Sequence, residues 1–184
     1  MPAFRIDDFE LYDPADSTKR AVFNLSGFPS GSTRVSAPVI LKQHINQTIG
    51  SPSYADISDL VFPLSTNTDY AFMFHIVFRS ASVLTGCRFS MNGPAGATIA
   101  YQIKQQTILN TTTVLDAAWL EGHTTSYDTM NVQTTTVSAG VDLLCTMAGR
   151  ILVAGTSGNL AARSASSATN SDIVVQQGSW GMVF

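Results

Sequence analysis

The chain is poor in charge. Asp, Glu, Lys and Arg make up 12% of its 184 residues, about half the share of roughly 25% usual in soluble domains. Ser, Thr and Asn fill the polar positions instead. A neutral surface of this kind suits sheets packed into an assembly better than a freely diffusing helical enzyme. Net charge is −3, and among the ten basic residues Lys19-Arg20 is the only adjacent pair. No basic stripe with interleaved aromatics occurs, which argues against nucleic-acid binding. No apolar run is long enough for a transmembrane helix, so membrane insertion is not expected. The first residues, Met1-Pro-Ala-Phe-Arg-Ile-Asp-Asp8, lack the basic and apolar regions of a signal peptide, so synthesis in a cytoplasm is expected.

Cysteine is nearly absent. Cys87 and Cys145 form neither a metal motif nor a Cys-x-x-Cys redox pair. The spacing fits two buried free thiols on strands; a disulfide requires their strands to be neighbours. Helix signals are sparse, with Val114 to Glu121 the best candidate for one or two turns. A nucleophile elbow, a phosphate-binding loop and a dinucleotide fingerprint are all missing. Asn92-Gly-Pro-Ala-Gly96 is glycine-rich but joins two strand patterns. It reads as a hairpin or inter-sheet loop rather than a phosphate cradle, because no helix N-terminus follows it.

What the chain does have is β-pattern. In Asp69 to Arg79, Tyr70, Phe72, Phe74, Ile76 and Phe78 alternate with Ala71, Met73, His75, Val77 and Arg79. Period two with one wholly apolar face predicts a central strand, its aromatic side in a core or a trimer interface. At the other end Trp180, Met182 and Phe184 alternate in the same way and are expected on the same kind of face. Strand patterns are also read at 59–64, 83–91, 97–109, 111–120, 129–137, 140–147, 150–155, 158–163 and 171–176. Turns are placed at 92–96, at Ala148-Gly149, at 155–158 and at Gly178. A strand and turn about every ten residues is the rhythm of an all-β sandwich or jelly roll.

Residues 1–48 differ. They hold Pro2, Pro14, Pro29 and Pro38 and much of the charge, with short extended patterns around Phe9 to Tyr12 and Lys19 to Leu25. Two or three short strands bury no core of their own, so this stretch is read as an extended N-terminal β-arm. Residues 49–59 are read as a connector and 60–184 as the β-domain. The expected fold is all-β, an antiparallel β-sandwich (jelly roll) with that arm.

Candidate chemistry is thin. His44, His75 and His123 are far apart, and His75 reads as a partly buried strand residue. Glu121, His123 and Asp128 share a segment that looks like a polar loop, with no recognised metal or acid–base spacing. The later carboxylates Asp69, Asp116, Glu121, Asp128, Asp142 and Asp172 show no glycosidase pairing. The runs Thr111 to Thr113 and Thr134 to Thr136 read as exposed β faces, or as a wet interface or carbohydrate-facing surface. No catalytic, cofactor or metal residue is therefore assigned.

Two segments carry a resemblance. Phe9-Glu-Leu-Tyr-Asp-Pro-Ala-Asp16-Ser-Thr-Lys19 through Phe23, Ser26-Gly27 and Gly31-Ser-Thr-Arg34 resembles a segment recurring in structural proteins of tailed bacteriophages. Tyr70-Ala-Phe, Asn92-Gly-Pro94-Ala-Gly96-Ala, Gly158-Asn-Leu160-Ala-Ala-Arg163 and the Gly178-Ser-Trp ending resemble a C-terminal domain of phage virion proteins. That domain is similar to the trimeric jelly roll of tumour necrosis factor. The resemblance implies a non-enzymatic virion protein, a surface-exposed homotrimer made in the host cytoplasm. Its arm (Phe9, Tyr12, Phe23, Leu25, Arg34) would bind the major capsid protein or another virion protein. A capsid decoration or head-fibre role is expected. The alternative is a tail-fibre or tail-tip component holding a host-surface glycan in loops such as 92–96 or 121–128. A cell-wall hydrolase would need the paired acids that are missing.

Overall fold

The structure, a computed structural model, describes the backbone of residues 8–12 and 20–24, and residues 38–82, 85–108, 117–129, 139–168 and 171–184. The chain divides into two compact units, Met1–Ser36 and Ala37–Phe184. In the first, β1 (Asp8–Tyr12) pairs antiparallel with β2 (Arg20–Asn24), with Phe9 opposite Phe23 and Tyr12 opposite Arg20. Leu25 and Arg34 of the expected arm lie outside the described residues, as do both Thr runs and most of 129–137.

The second unit contains β3 (Val39–Lys42), β4 (Gln47–Ile49), β5 (Ala55–Leu64), β6 (Thr68–Ser80), β7 (Cys87–Asn92), β8 (Thr98–Ile108), β9 (Ala117–Thr124), β10 (Asp142–Val153), β11 (Gly158–Ser166), β12 (Ile173–Val175) and β13 (Trp180–Val183). An eight-stranded sheet runs β3-β13-β6-β10-β8-β9, with β12 bridging β4 and β6; a three-stranded sheet runs β5-β11-β7. Each pair of named strands is antiparallel. The fold is all-β, an antiparallel sandwich of the jelly-roll kind, as the strand rhythm predicts.

The core lies between the sheets, and β6 is its spine. Phe72, Phe74, Ile76 and Phe78 are buried, and Tyr70 packs at the margin. Phe74 meets Phe62 of β5 edge-on at 5.6 Å, and Phe78 meets Phe89 of β7 at 5.0 Å. These T-shaped contacts across the sandwich are favoured ring geometries. The aromatic face of β6 is thus spent on this chain's own core and is not free for a trimer interface.

Four expectations are corrected. Residues 39–49 belong to the large sheet, so the first unit ends at Ser36 rather than 48, and the expected connector at 49–59 contains the end of β4 and the start of β5. Of the two readings of 114–121, the strand pattern at 111–120 holds where the chain is described, because β9 pairs along β8 from Ala117 to Thr124.

Ala148-Gly149 is not a turn but the middle of β10. Gly149 lies between Phe72 of β6 and Tyr101 of β8 in one cross-strand row, and those two rings meet at 6.3 Å. A Cβ there would come within 2.2 Å of the Ala100 carbonyl oxygen and 2.5 Å of Tyr101 Cβ. This glycine is required by close strand approach, not by a bend.

Finally, β13 has the opposite facing to that expected. Gly181 and Val183 face the core, while Trp180 and Met182 face away. A Cβ at Gly181 would lie 2.5 Å from the Phe74 ring and 3.1 Å from Phe62. The rings of β6 fill the space a larger residue would need, so the bulky residues of β13 turn outward.

Substitution at these glycines tests the packing. Gly149→Ala and Gly181→Ala should each destabilise by about 1–3 kcal/mol through overpacking. Gly155→Ala, with no atom within 4 Å of its Cβ, should be neutral or slightly stabilising; urea unfolding monitored by circular dichroism ranks the three. Phe74→Asp should yield no folded protein, since it buries an unpaired charge; soluble, cooperatively melting Phe74→Asp would refute the core assignment.

Candidate functional site

The residues that turn away from the core compose the outer face of the eight-stranded sheet. Its centre is apolar. Ile40 of β3, Met182 of β13, Met73 of β6 and Ala148 of β10 are consecutive cross-strand partners. Ile40 is 61% exposed and Met73 37%. Beside that row Trp180 stacks on His75 at 5.8 Å with the rings 19° apart. Further out, Leu152 of β10 is 43% exposed and Trp119 of β9 48%. Sequence pattern alone does not find this face, because its residues come from strands spread over 39–183 and only the pairing brings them together.

Around the apolar centre the charges close on one another. Arg79 Nε donates to Asp142 Oδ1 at 2.9 Å. Arg150 Nη2 donates to Asp69 Oδ2 at 3.0 Å. Lys104 Nζ lies 2.8 Å from Glu121 Oε1, while Gln102 Nε2 donates to Glu121 Oε2 at 3.2 Å. Each pair is exposed and adds little stability, but together they leave the face almost without net charge. Lys42, on the β3 edge, has no ion-pair partner among the described residues.

The expected loop cluster does not form. Glu121 and His123 stand on strand β9, opposite Lys104 and Gln102. Asp128 lies in the following turn with φ +51° and pairs instead with Arg163. Arg163 of β11 also lies 2.8 Å from Asp56 Oδ1 and donates to the Tyr54 carbonyl at 2.7 Å. Nearby, the Arg88 guanidinium sits over the Tyr54 ring at 5.7 Å and donates to the Pro52 and Ser166 carbonyls. Burial pushes the Tyr54 hydroxyl up to about 12, against the opposing pull of Arg88. This guanidinium-and-carboxylate network ties the 51–56 segment and the 125–128 turn to the small sheet. It is a structural clamp: its groups are engaged with one another.

The glycine-rich segment 92–96 is an inter-sheet loop from β7 to β8, as read. Gly93 is pressed against Tyr127, whose hydroxyl would lie 2.3 Å from an added Cβ. Tyr101 reaches past β7, its hydroxyl 3.1 Å from Ser90 Oγ and accepting from the Met91 amide at 3.3 Å.

Cys87 of β7 and Cys145 of β10 are both buried thiols outside any disulfide, one in each sheet. Burial raises both thiols, Cys87 to about 12. Among the described residues no group of three or more His, Cys, Asp or Glu side chains could hold a metal ion, and no helix is long and apolar enough to cross a membrane.

The chain matches no family model and no curated protein. It is similar to a structure of infectious bursal disease virus, Gt strain, at 10% identity and a TM-score of 0.26. It is also similar to a crystal structure of the infectious bursal disease virus VP2 subviral particle, at 11% identity and a TM-score of 0.23. Each alignment covers all of this chain and 41% of the other, so the chain spans about two fifths of their length. A likeness this slight carries no argument; the fold rests on the strand pairing above.

Two outcomes follow. Because their thiolates are suppressed, Cys87 and Cys145 should be unreactive toward a disulfide reagent at pH 8 in native protein and titrate fully in denaturant. Arg163→Ala should cost about 1–3 kcal/mol by leaving the Tyr54 carbonyl and two carboxylates without their donor. Limited proteolysis should then cut first within 51–56 or 125–128.

Proposed function

We propose that the chain is a non-enzymatic structural protein of a bacteriophage virion, a surface-exposed homotrimer that decorates or cements the capsid. The observation that carries this reading is the outer face of the large sheet. An apolar centre ringed by charges already paired with one another is the anatomy of a surface that other protein covers. It offers little to a reaction. The sequence resemblance supplies the virion context. The β1–β2 hairpin supports the anchoring role of the N-terminal arm, since two strands alone are marginal in water and gain by pairing with a capsid subunit.

One observation favours the second reading, a tail-fibre or tail-tip protein that binds a host glycan. Trp119 is 48% exposed on β9, with Gln106 across from it and Glu121 two residues on. An exposed ring beside amide and carboxylate groups is sugar-binding chemistry.

Quantitative mass spectrometry of purified particles separates the readings. Hundreds of copies, measured against the major capsid protein, are expected for capsid decoration. A few to a few tens would move the protein to the tail and favour Trp119 as a receptor contact. Absence from particles would overturn both readings and reopen the hydrolase one.

A further inference from the structure

We propose that Asn92 is a site of self-modification. Attack by the Gly93 backbone nitrogen removes its side-chain amide and leaves aspartate or isoaspartate at the head of the β7–β8 loop. The proposal is independent of the virion reading. Asn92 is the last residue of β7, opposite Ala161 of β11, and Gly93 lies just beyond the strand. The Gly93 N–H donates to Asn92 Oδ1 at 3.0 Å. An asparagine reaches its own following nitrogen by folding its carboxamide back over the peptide. The atoms Gly93 N and Asn92 C, Cα, Cβ and Cγ are therefore already curled toward a five-membered ring. Fixing that curl in the folded state replaces a search over side-chain rotamers.

Packing explains why the nitrogen is open to reaction. A Cβ at position 93 would lie 2.3 Å from the Tyr127 hydroxyl oxygen and 2.7 Å from Cζ. Tyr127 thus demands glycine there, and glycine leaves its own nitrogen unshielded by a side chain. The other asparagines with described side chains are placed differently. Asn46 precedes Gln47, and its Oδ1 accepts from the remote Gln177 amide at 2.7 Å. Asn67 precedes the β-branched Thr68. Asn159 precedes Leu160 and lies within β11, opposite Pro63. Asn92 and Gly93 are half-buried, while Ala95 and Gly96 are exposed, so water and hydroxide reach the loop.

The chemistry needs only water and base. Hydroxide takes the Gly93 amide proton, and the nitrogen attacks Asn92 Cγ. The N–Cγ bond forms, the Cγ–Nδ2 bond breaks, and ammonia leaves with a proton from water. Water then opens the cyclic imide. Cleavage of the new N–Cγ bond gives aspartate. Cleavage of the original backbone C–N bond gives isoaspartate, with the main chain rerouted through Cβ and Cγ. Either product adds a negative charge, and isoaspartate also adds a methylene to the backbone where Gly93 has no slack against Tyr127. The next residue, Asp128, donates its amide to the Met91 carbonyl at 3.3 Å and pairs with Arg163. The displacement is therefore delivered to the 125–128 turn.

The test is to age the folded full chain at pH 8 in heavy-oxygen water and map its peptides by mass spectrometry, separating aspartate from isoaspartate chromatographically. Label should enter at Asn92 about tenfold faster than at Asn46 or Asn159, a barrier difference of ~1.4 kcal/mol. The folded rate at Asn92 should match or exceed that of the guanidinium-unfolded chain at the same pH, because the fold holds the reactive curl. Asn92→Gln, whose ring closure is larger and slower, should abolish labelling at this position and keep the wild-type circular dichroism spectrum. Should that variant fail to fold, the comparison of folded with unfolded wild type still decides. An Asn92 that survives in the folded chain while the unfolded chain loses it overturns the proposal, as does earlier loss at Asn46 or Asn159. The isoaspartate form should be cut within 125–128 about tenfold faster by a limiting protease than fresh protein, on the scale of ~1.4 kcal/mol of local opening. Equal resistance of the two forms overturns the coupling to Tyr127.

Discussion

The constraint on which the rest depends is the fit of the β6 rings over glycine on the strands to either side. Phe72 and Tyr101 meet above Gly149, and Phe74 presses on Gly181. Large side chains on adjacent strands of one face need small ones between them to interdigitate at close-packed density. The glycines locate β10 and β13 against β6, which sets the register of the whole large sheet. Register in turn decides which residues of every other strand look inward. The three-stranded sheet then closes over the aromatic ridge through Phe62 and Phe89.

The outward surface is a by-product of the same packing. Because Gly181 has to sit under Phe74, Trp180 and Met182 are turned away from the core, where they lie beside His75 and Met73. Apolar side chains on that side are therefore coupled to the interior by strand alternation. The ion pairs around them place opposite charges directly or diagonally across strands, which holds the register without leaving a net field. The Arg163 clamp does comparable work on the small sheet, securing two loop segments through one guanidinium.

Much of this architecture is legible in the residues. The alternation of β6 is unmistakable because five large apolar residues share one parity, and the inter-sheet loop at 92–96 carries its own turn chemistry. The misreadings share a physical origin. Gly149 looks like a turn because glycine's need for space and its need for freedom leave the same mark in a sequence. Trp180, Met182 and Phe184 look like core because bulk on alternate positions marks a face without saying which side it looks to. Glu121 to Thr124 looks like part of the loop that follows because polar residues on an outward strand face are locally indistinguishable from polar residues in a turn. The outer face is the least legible feature, since it is assembled by pairing between distant strands and no local window contains it.

The position of β13 has a consequence for the order of events during synthesis. It fills the slot between β3 and β6, and the described pairing of β3 is with β13 alone. Residues 39–42 therefore leave the ribosome early and find their neighbour only when 180–183 emerge. Until then one flank of β6 is an open edge, with the backbone groups of Phe72 to His75 unpaired on that side. Such an edge invites strand addition by any extended segment nearby, and closing so long a loop is slow. The nascent chain is exposed to this hazard until β13 has emerged. The nascent strand β6 is the point at which a chaperone has most to protect.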